Sequence, residues 1–155
     1  MRSVESARKR GKKRSCLTVI VDRATRKTTI FKTASKTAVE TNKSIVRALK
    51  QFSLKDIKSI TYDNGCEFSK HEKINKKFKK AGLKSYFCKP YHSFEKGTVE
   101  NINGLIRRFF PKGTNFDKIK HKDIKRVENW INNRPMKVLG FNTPNEMYKK
   151  LKLAG

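Results

Sequence analysis

The chain has 155 residues, of which 39 are lysine or arginine and 13 are aspartate or glutamate, so its formal net charge is +26. This length suits one domain over residues 1–155, and 10 phenylalanines, 4 tyrosines and 1 tryptophan provide enough apolar area for a modest core, which excludes full disorder. No apolar run approaches the roughly 18 residues that span a bilayer, and none follows the basic N-terminus as in a signal peptide, so we expect neither membrane insertion nor secretion.

The hydrophobic pattern predicts nine elements in the order ββαβαβααα. Cys16–Val21 is an almost continuous apolar run, which is typical of a strand buried on both faces. Residues 22–26 predict a turn, and residues 27–32 predict the second strand of a hairpin. A capping box of Thr37 and Glu40 then predicts the start of a helix that runs to about Phe52. A strand at 57–63, a helix over 68–81 that ends at Gly82, and a strand at 83–88 follow. The last three predicted elements are helices at 98–110, at 122–133 and from a capping box at Thr143 onward.

The positive charge is spread over the whole chain and favours a polyanionic partner. Because these charges repel one another unless a polyanion neutralises them, we expect DNA or RNA as the partner; a solvated basic surface is the alternative. The three cysteines form no CxxC pair, and the three histidines lie at no zinc-ligand spacing from them. The sequence therefore predicts neither a structural zinc site nor a disulfide framework.

Two of the acidic residues lie where a cation could be held. Asp63 ends the predicted strand at 57–63, so we expect its carboxylate at the carboxyl edge of the sheet, where ligand sites of α/β proteins form. The alternative is a tight turn, since the following Asn64-Gly65 is a strong turn dipeptide. Glu100 lies in the first turn of a helix and points away from its predicted apolar stripe of Val99, Ile102, Ile106 and Phe109. The alternative for Glu100 is an acid that the helix dipole favours.

Three segments carry a family resemblance: TYDNGCEF, CKPYHSFEKGTVENINGLIRRFFPKGTNF and NNRPMKVLGFNTPNEMY. They resemble the catalytic core of bacterial insertion-sequence transposases of the insertion-sequence-thirty family and, more distantly, the retroviral integrase core. The likeness extends from about residue 15 to the end of the chain. It implies an α/β, RNase H-like fold with a mixed sheet flanked by helices. It also implies three acids that hold two Mg²⁺ or Mn²⁺ ions for cutting and rejoining DNA, namely transposon ends and a target duplex.

The resemblance assigns roles to particular residues. Asp63 matches the second acid of the family, and Glu100 matches the third. Arg107 matches a basic position that contacts the transposon end, and Arg108 and Lys96 are further candidates for DNA contact. The candidate supporting groups around the metal ions are Asn64, Asn103 and Glu95, the last of which could equally be an ordinary surface residue. The loop with Tyr91, Phe94 and Lys96 mixes aromatic and basic residues as a strand-contacting loop would, although Phe94 could instead belong to the core.

The first acid of the family is missing from this sequence. Its place falls near Arg2, so we expect the first central strand to be largely missing, together with the N-terminal DNA-binding region of the family. Asp22 and Glu5 are weak candidates for a substitute. We therefore expect a fragment that comes from a decayed gene or from one half of a frameshift-split frame.

Three functions follow as hypotheses. The first is a metal-dependent DNA strand-transfer enzyme of the cytoplasm, associated with the nucleoid and able to form a homodimer. The second is a catalytically inactive, basic DNA-binding remnant of a transposase. The third is an RNA-binding, ribosome-associated protein, which the segments around Asp63 and Glu100 disfavour because such a protein does not need them.

Overall fold

The computed structural model describes residues 14–52, 56–63, 65–88 and 97–154. In these stretches the strands and α-helices follow the predicted order ββαβαβααα. They are β1 (Cys16–Val21), β2 (Thr28–Thr33), α1 (Ala38–Leu49), β3 (Ser59–Tyr62), α2 (His71–Lys77), β4 (Lys84–Phe87), α3 (Gly97–Phe109), α4 (His121–Asn132) and α5 (Pro144–Leu153). None of these helices is long and apolar enough to cross a membrane.

The first two strands form the predicted hairpin. They pair antiparallel from Cys16 opposite Thr33 to Val21 opposite Thr28. The turn between them is closed by Asp22, whose carboxylate accepts hydrogen bonds from the backbone N–H of Thr25 at 3.2 Å and from its hydroxyl. Asp22 therefore stabilises this turn, which gives its carboxylate a structural role.

The other two strands form a separate pair. β3 and β4 run parallel, from Ser59 opposite Lys84 to Tyr62 opposite Phe87. In the stretches that the structure describes, β1 pairs with β2 alone and β3 with β4 alone. The largely missing central strand of the sequence analysis was expected near Arg2, which lies outside the described residues.

Helices cover both faces of β1. Side chains alternate between the two faces of a strand. One face of β1 therefore carries Leu17, Val19 and Val21, and the opposite face carries Ile20. The first three belong to a core with α3 and α4, whereas Ile20 belongs to a core with α1, α2 and β3. The prediction that β1 is buried on both faces is therefore confirmed.

The predicted start of α1 is partly wrong. Thr37 occupies the N-cap position, but its side chain makes no capping hydrogen bond, because its hydroxyl lies 3.1 Å from that of Ser35. Glu40 pairs with Lys43 at 2.8 Å, an alternative to the capping interaction. Val39 is 48% exposed, and the buried face of the helix is formed by Thr41, Ser44, Ile45, Ala48 and Leu49.

Two side chains of α4 bind the outer edge of β2. Oε2 of Glu128 accepts the backbone N–H of Ile30 at 2.7 Å. The amide of Asn132 makes two bonds of 2.8 Å with Thr28, one to its N–H and one to its carbonyl. Residues four apart on a helix share a face, and residues two apart on a strand point the same way. One face of α4 therefore provides hydrogen-bond partners for the backbone groups at this edge of β2.

Two helix ends confirm the predicted stop and start signals. Gly82 follows the short helical turn after α2 with φ 64, a left-handed conformation that glycine adopts without a steric penalty. α5 begins with the predicted capping box, in which Thr143 Oγ1 accepts the N–H of Glu146 at 3.2 Å and the Glu146 carboxylate accepts the N–H of Thr143 at 2.7 Å. These backbone requirements are local, which is why they could be predicted.

Candidate active site

Asp63 directly follows β3, at the carboxyl end that the sequence predicted. Its Oδ1 accepts a hydrogen bond from the backbone N–H of Gly65 at 3.0 Å. Gly65 has φ −72 and ψ 141, so it does not adopt the positive φ that an Asn-Gly hairpin turn requires at its glycine. The local loop is therefore organised around the Asp63 side chain.

The space around Gly65 is too small for a side chain at this position. A Cβ added there would lie 2.5 Å from Oε2 of Glu67 and 2.9 Å from Oδ1 of Asp63. The carboxylates of Asp63 and Glu67 therefore approach the same small volume above the Gly65 backbone. Any side chain at this position would displace one of them.

Glu67 is the residue of this site that sequence analysis missed. Its side chain is 2% exposed, and its Oε1 lies 3.1 Å from Nζ of Lys36. A buried carboxylate needs such a partner because removal from water strongly disfavours its charged form. The signal that could have found Glu67 is its place in TYDNGCEF, directly before the apolar Phe68. Lys36 gave no comparable signal, because it is 31 positions away in the sequence.

Glu100 is exposed on α3, as predicted, and shares its side of the helix with Gly104 and Arg107, which are also exposed, and with the half-buried Asn103. The buried face of α3 consists of Val99, Ile102, Leu105 and Ile106. Phe109, predicted as part of this face, is 43% exposed at the last turn, where its ring packs edge-on against Trp130 with centroids 5.0 Å apart. Leu105 takes its place in the core.

The segments with the two acids contact opposite ends of the β1–β2 hairpin. The Asp63 loop is joined through Glu67 to Lys36, which lies just beyond the Thr33 end of β2. The start of α3 is joined to the turn at the other end, where Nη1 of Arg26 donates to Oγ1 of Thr98 at 2.7 Å. Arg26 has φ 60, a backbone conformation that few residues other than glycine adopt.

The donor types of the site suit a hard cation, because carboxylate oxygens are the ligands that Mg²⁺ and Mn²⁺ prefer. Across the described residues, however, no three acidic, histidine or cysteine side chains come close enough together to hold a metal ion. Asp63 and Glu100 therefore belong to no such group among the described residues, and the segments that carry them contact opposite ends of the hairpin. Their role as metal ligands stays a prediction.

Several predicted site residues lie outside the described part of the chain. They are Asn64, Glu95 and Lys96, together with Glu5, Tyr91 and Phe94. The other predicted DNA contacts, Arg107 and Arg108, are exposed on α3.

The thiol of Cys16, at the start of β1, is partly buried. Burial raises the pKa of Cys16 above its ordinary value of 9.0, while the hydroxyl of Thr33, Lys36 and Glu67 influence it less. Sγ of Cys16 lies 2.8 Å from Oγ1 of Thr33. The thiol is therefore protonated at neutral pH and a poor nucleophile.

The family described as "Integrase core domain" matches residues 4–93, which is more than half of the chain. The chain belongs to the integrase core domain family. It is 47% identical over 138 residues to the transposase for insertion sequence element IS4351 of Bacteroides fragilis, covering 89% of this chain and 41% of that protein. It is 35% identical over 140 residues to transposase InsI for IS30C of Escherichia coli (strain K12), covering 90% and 36%. The predicted resemblance to this transposase family is therefore confirmed, over less than half the length of these relatives.

Solved structures of integrases share the fold. The catalytic core domain of BIV integrase has a TM-score of 0.65 at 16% identity, over 90% of this chain and 89% of that one. The HTLV-2 integrase catalytic core domain, solved in complex with magnesium, has a TM-score of 0.60 at 18% identity, over 86% and 84%. These similarities confirm the predicted α/β, RNase H-like fold of the integrase core.

Proposed function

We propose that this chain is the catalytic core region of a DNA transposase, with Asp63 and Glu100 as two of its acidic residues. The observation that carries the proposal is the position of Asp63 at the carboxyl end of β3 in an integrase-core fold. The 47% identity to an insertion-sequence transposase supports it. The substrates in this proposal are transposon ends and a target duplex. The chain would act on DNA in the cytoplasm, in association with the nucleoid.

The proposed chemistry uses carboxylates as ligands. Asp63 and Glu100 would hold Mg²⁺ or Mn²⁺, and the bound ions would supply activation of a water or 3′-hydroxyl and stabilisation of the leaving 3′-oxygen. The hydrogen bond from Gly65 and the ion pair between Lys36 and Glu67 orient the loop that carries Asp63. Asn64, Asn103 and Glu95 would support the ligands from nearby.

The proposed DNA contacts lie beside Glu100. Arg107 is two turns further along α3, and both it and Arg108 are exposed. Lys96 precedes the helix in sequence and would add a further basic contact to those of Arg107 and Arg108. Because phosphate contacts with arginine and lysine release counterions, affinity for DNA should fall steeply with salt.

A cleavage assay with a labelled transposon-end duplex tests the proposal. Since the first family acid is missing from this sequence, we expect no cleavage by the unchanged chain and divalent-cation-dependent cleavage by a variant extended at its N-terminus with the first family strand and its Asp. Adding Asp63→Asn or Glu100→Gln to that variant should abolish cleavage and leave DNA binding nearly unchanged. Cleavage that survives either added substitution would contradict the proposed roles.

The second candidate function is a DNA-binding protein without catalysis. The observation that favours it is the absence, among the described residues, of three metal-ligating side chains in one cluster. It predicts normal DNA binding and no cleavage for every variant in the same assay, the N-terminally extended one included.

A further inference from the structure

A groove lies between α1 and α2 on the face of β1 opposite α3 and α4, where Nδ2 of Asn42 donates to the carbonyl of Lys70 at 2.9 Å. α1 and α2 share one core with Ile20, whereas α3 and α4 share the other core with its neighbours Val19 and Val21. The groove has a volume of about 370 Å³ and is lined by Val39, Asn42, Lys43, Val46, Arg47, Lys70, Lys73, Ile74 and Lys77. It is therefore separate from the Glu100 and Arg107 surface.

The walls of the groove are two rows of cations. Lys43 and Arg47 lie one turn apart on α1, and all the basic residues that line the groove are exposed. Lys70, Lys73 and Lys77 face them from the start and body of α2. Since a helix rises 1.5 Å per residue, the members of the second row lie about 4.5 and 6 Å apart along the axis. The two rows therefore present positive charge at short, repeated intervals along both sides.

The floor of the groove strengthens the field of these cations. It is formed by the apolar side chains of Val39, Val46 and Ile74, and no acidic residue lines it. A cleft with charges of one sign and walls of low dielectric focuses its field on the ligand. Glu40 neighbours the groove and pairs with Lys43 at 2.8 Å; the Lys43 side chain is 61% exposed and that of Glu40 31% exposed, so solvent screens this pair.

We propose that this groove binds the phosphate backbone of a second DNA duplex, distinct from the duplex held at α3. The inference rests on the proposed function, in which the chain acts on two kinds of DNA, transposon ends and a target duplex. It adds to that function a second DNA-binding face. Charge complementarity supports DNA as the occupant, because a phosphate chain repeats its charges along a line as the two cation rows do. With one duplex on each face, a single chain brings two duplexes together.

A pairing assay with two short duplexes, one carrying a fluorescence donor and the other an acceptor, tests this inference. The groove variant is K43E/R47E/K73E. The matched control is K118E/K122E/R126E, three exposed residues of the α4 region that produce the same net charge. We expect the groove variant to lose energy transfer between the duplexes while still binding a single duplex, because the α3 surface is unchanged. The control should retain pairing.

Three results would overturn the inference. Pairing by the groove variant that equals that of the control would show that the groove binds no DNA. Equal loss of pairing in both variants would show an effect of net charge alone. If the groove variant loses binding of poly-L-glutamate but keeps duplex pairing, the groove serves an acidic polypeptide instead. The milder K43Q/R47Q/K73Q variant, with circular dichroism as a check on folding, keeps the test decisive if charge reversal unfolds the chain. This assay does not measure cleavage, so its result can be interpreted even if the proposed cleavage chemistry is wrong.

Discussion

Nζ of Lys36 lies 3.1 Å from Oε1 of Glu67, and this ion pair joins the segment after β2 to the loop that carries Asp63. The carboxylate is 2% exposed and the ammonium-bearing side chain is 39% exposed, so the acid depends on the lysine more than the lysine depends on the acid. The pair holds Glu67 against Gly65 and thereby shapes the space beside Asp63.

Removal of Lys36 should therefore destabilise the chain. We expect Lys36→Met to lower the free energy of unfolding by about 1–3 kcal/mol, because it leaves a buried carboxylate without its cation. Lys36→Met combined with Glu67→Gln should recover most of this loss, since the amide is neutral. Urea unfolding of the single and double variants measures both effects, and an equal loss in both would mean that the lysine stabilises the fold through its packing.

A methyl group at Gly65 should disturb the same loop. Gly65→Ala would bring a Cβ within 3 Å of both Glu67 and Asp63, so we expect a loss of stability of about 1–3 kcal/mol. Gly104 is the matched control, because it lies within α3 with no other group within 4 Å of an added Cβ. Gly104→Ala should stabilise the chain by about 0.5–1 kcal/mol through helix propensity. Thermal unfolding of the two variants should show shifts of opposite sign.

The bonds between α4 and the edge of β2 predict a local effect on hydrogen exchange. Asn132→Ala removes both bonds to Thr28, and we expect a loss of about 1–3 kcal/mol together with faster exchange of the Thr28 amide. The exposed neighbour Asn129 provides the control, since Asn129→Ala leaves these bonds in place. Unchanged exchange at Thr28 in the Asn132 variant would contradict this account of the strand edge.

The element order was predictable because each element has its own local signal. The apolar run Cys16–Val21, the closing Gly82 and the capping box at Thr143 all act within a few residues of the structure that they specify. The positions of Asp63 and Glu100 relative to their strand and helix followed from the same local signals.

Contacts between distant segments were not predictable in this way. Lys36 and Glu67 are far apart in sequence, and nothing in either local pattern indicates the other. Glu128 and Asn132 have the composition of a solvated helix face, yet they bind the backbone of β2. Phe109 fits the predicted apolar stripe of α3, but it lies at the end of the helix, where the core no longer covers it.

The three thiols should react at different rates with iodoacetamide. Cys66 is exposed and should be alkylated first, whereas Cys88 is buried and Cys16 has a pKa that burial raises. Because folding favours the protonated thiol of Cys16, its stabilising contribution holds below the ordinary pKa of 9.0 and is lost as pH rises beyond it. Peptide mass spectrometry at several pH values measures the order, and alkylation of Cys16 before Cys66 at neutral pH would contradict it.

Iron-mediated cleavage of the polypeptide tests most directly whether Asp63 and Glu100 serve one metal site. Fe²⁺ replaces Mg²⁺ at carboxylate sites and, with ascorbate and peroxide, cuts the backbone next to the ion. With transposon-end DNA present, the variant extended with the first family strand and its Asp should be cut near both Asp63 and Glu100, and either Asp63→Asn or Glu100→Gln should remove both cuts together. Cuts near one residue that persist after substitution of the other would contradict a shared site.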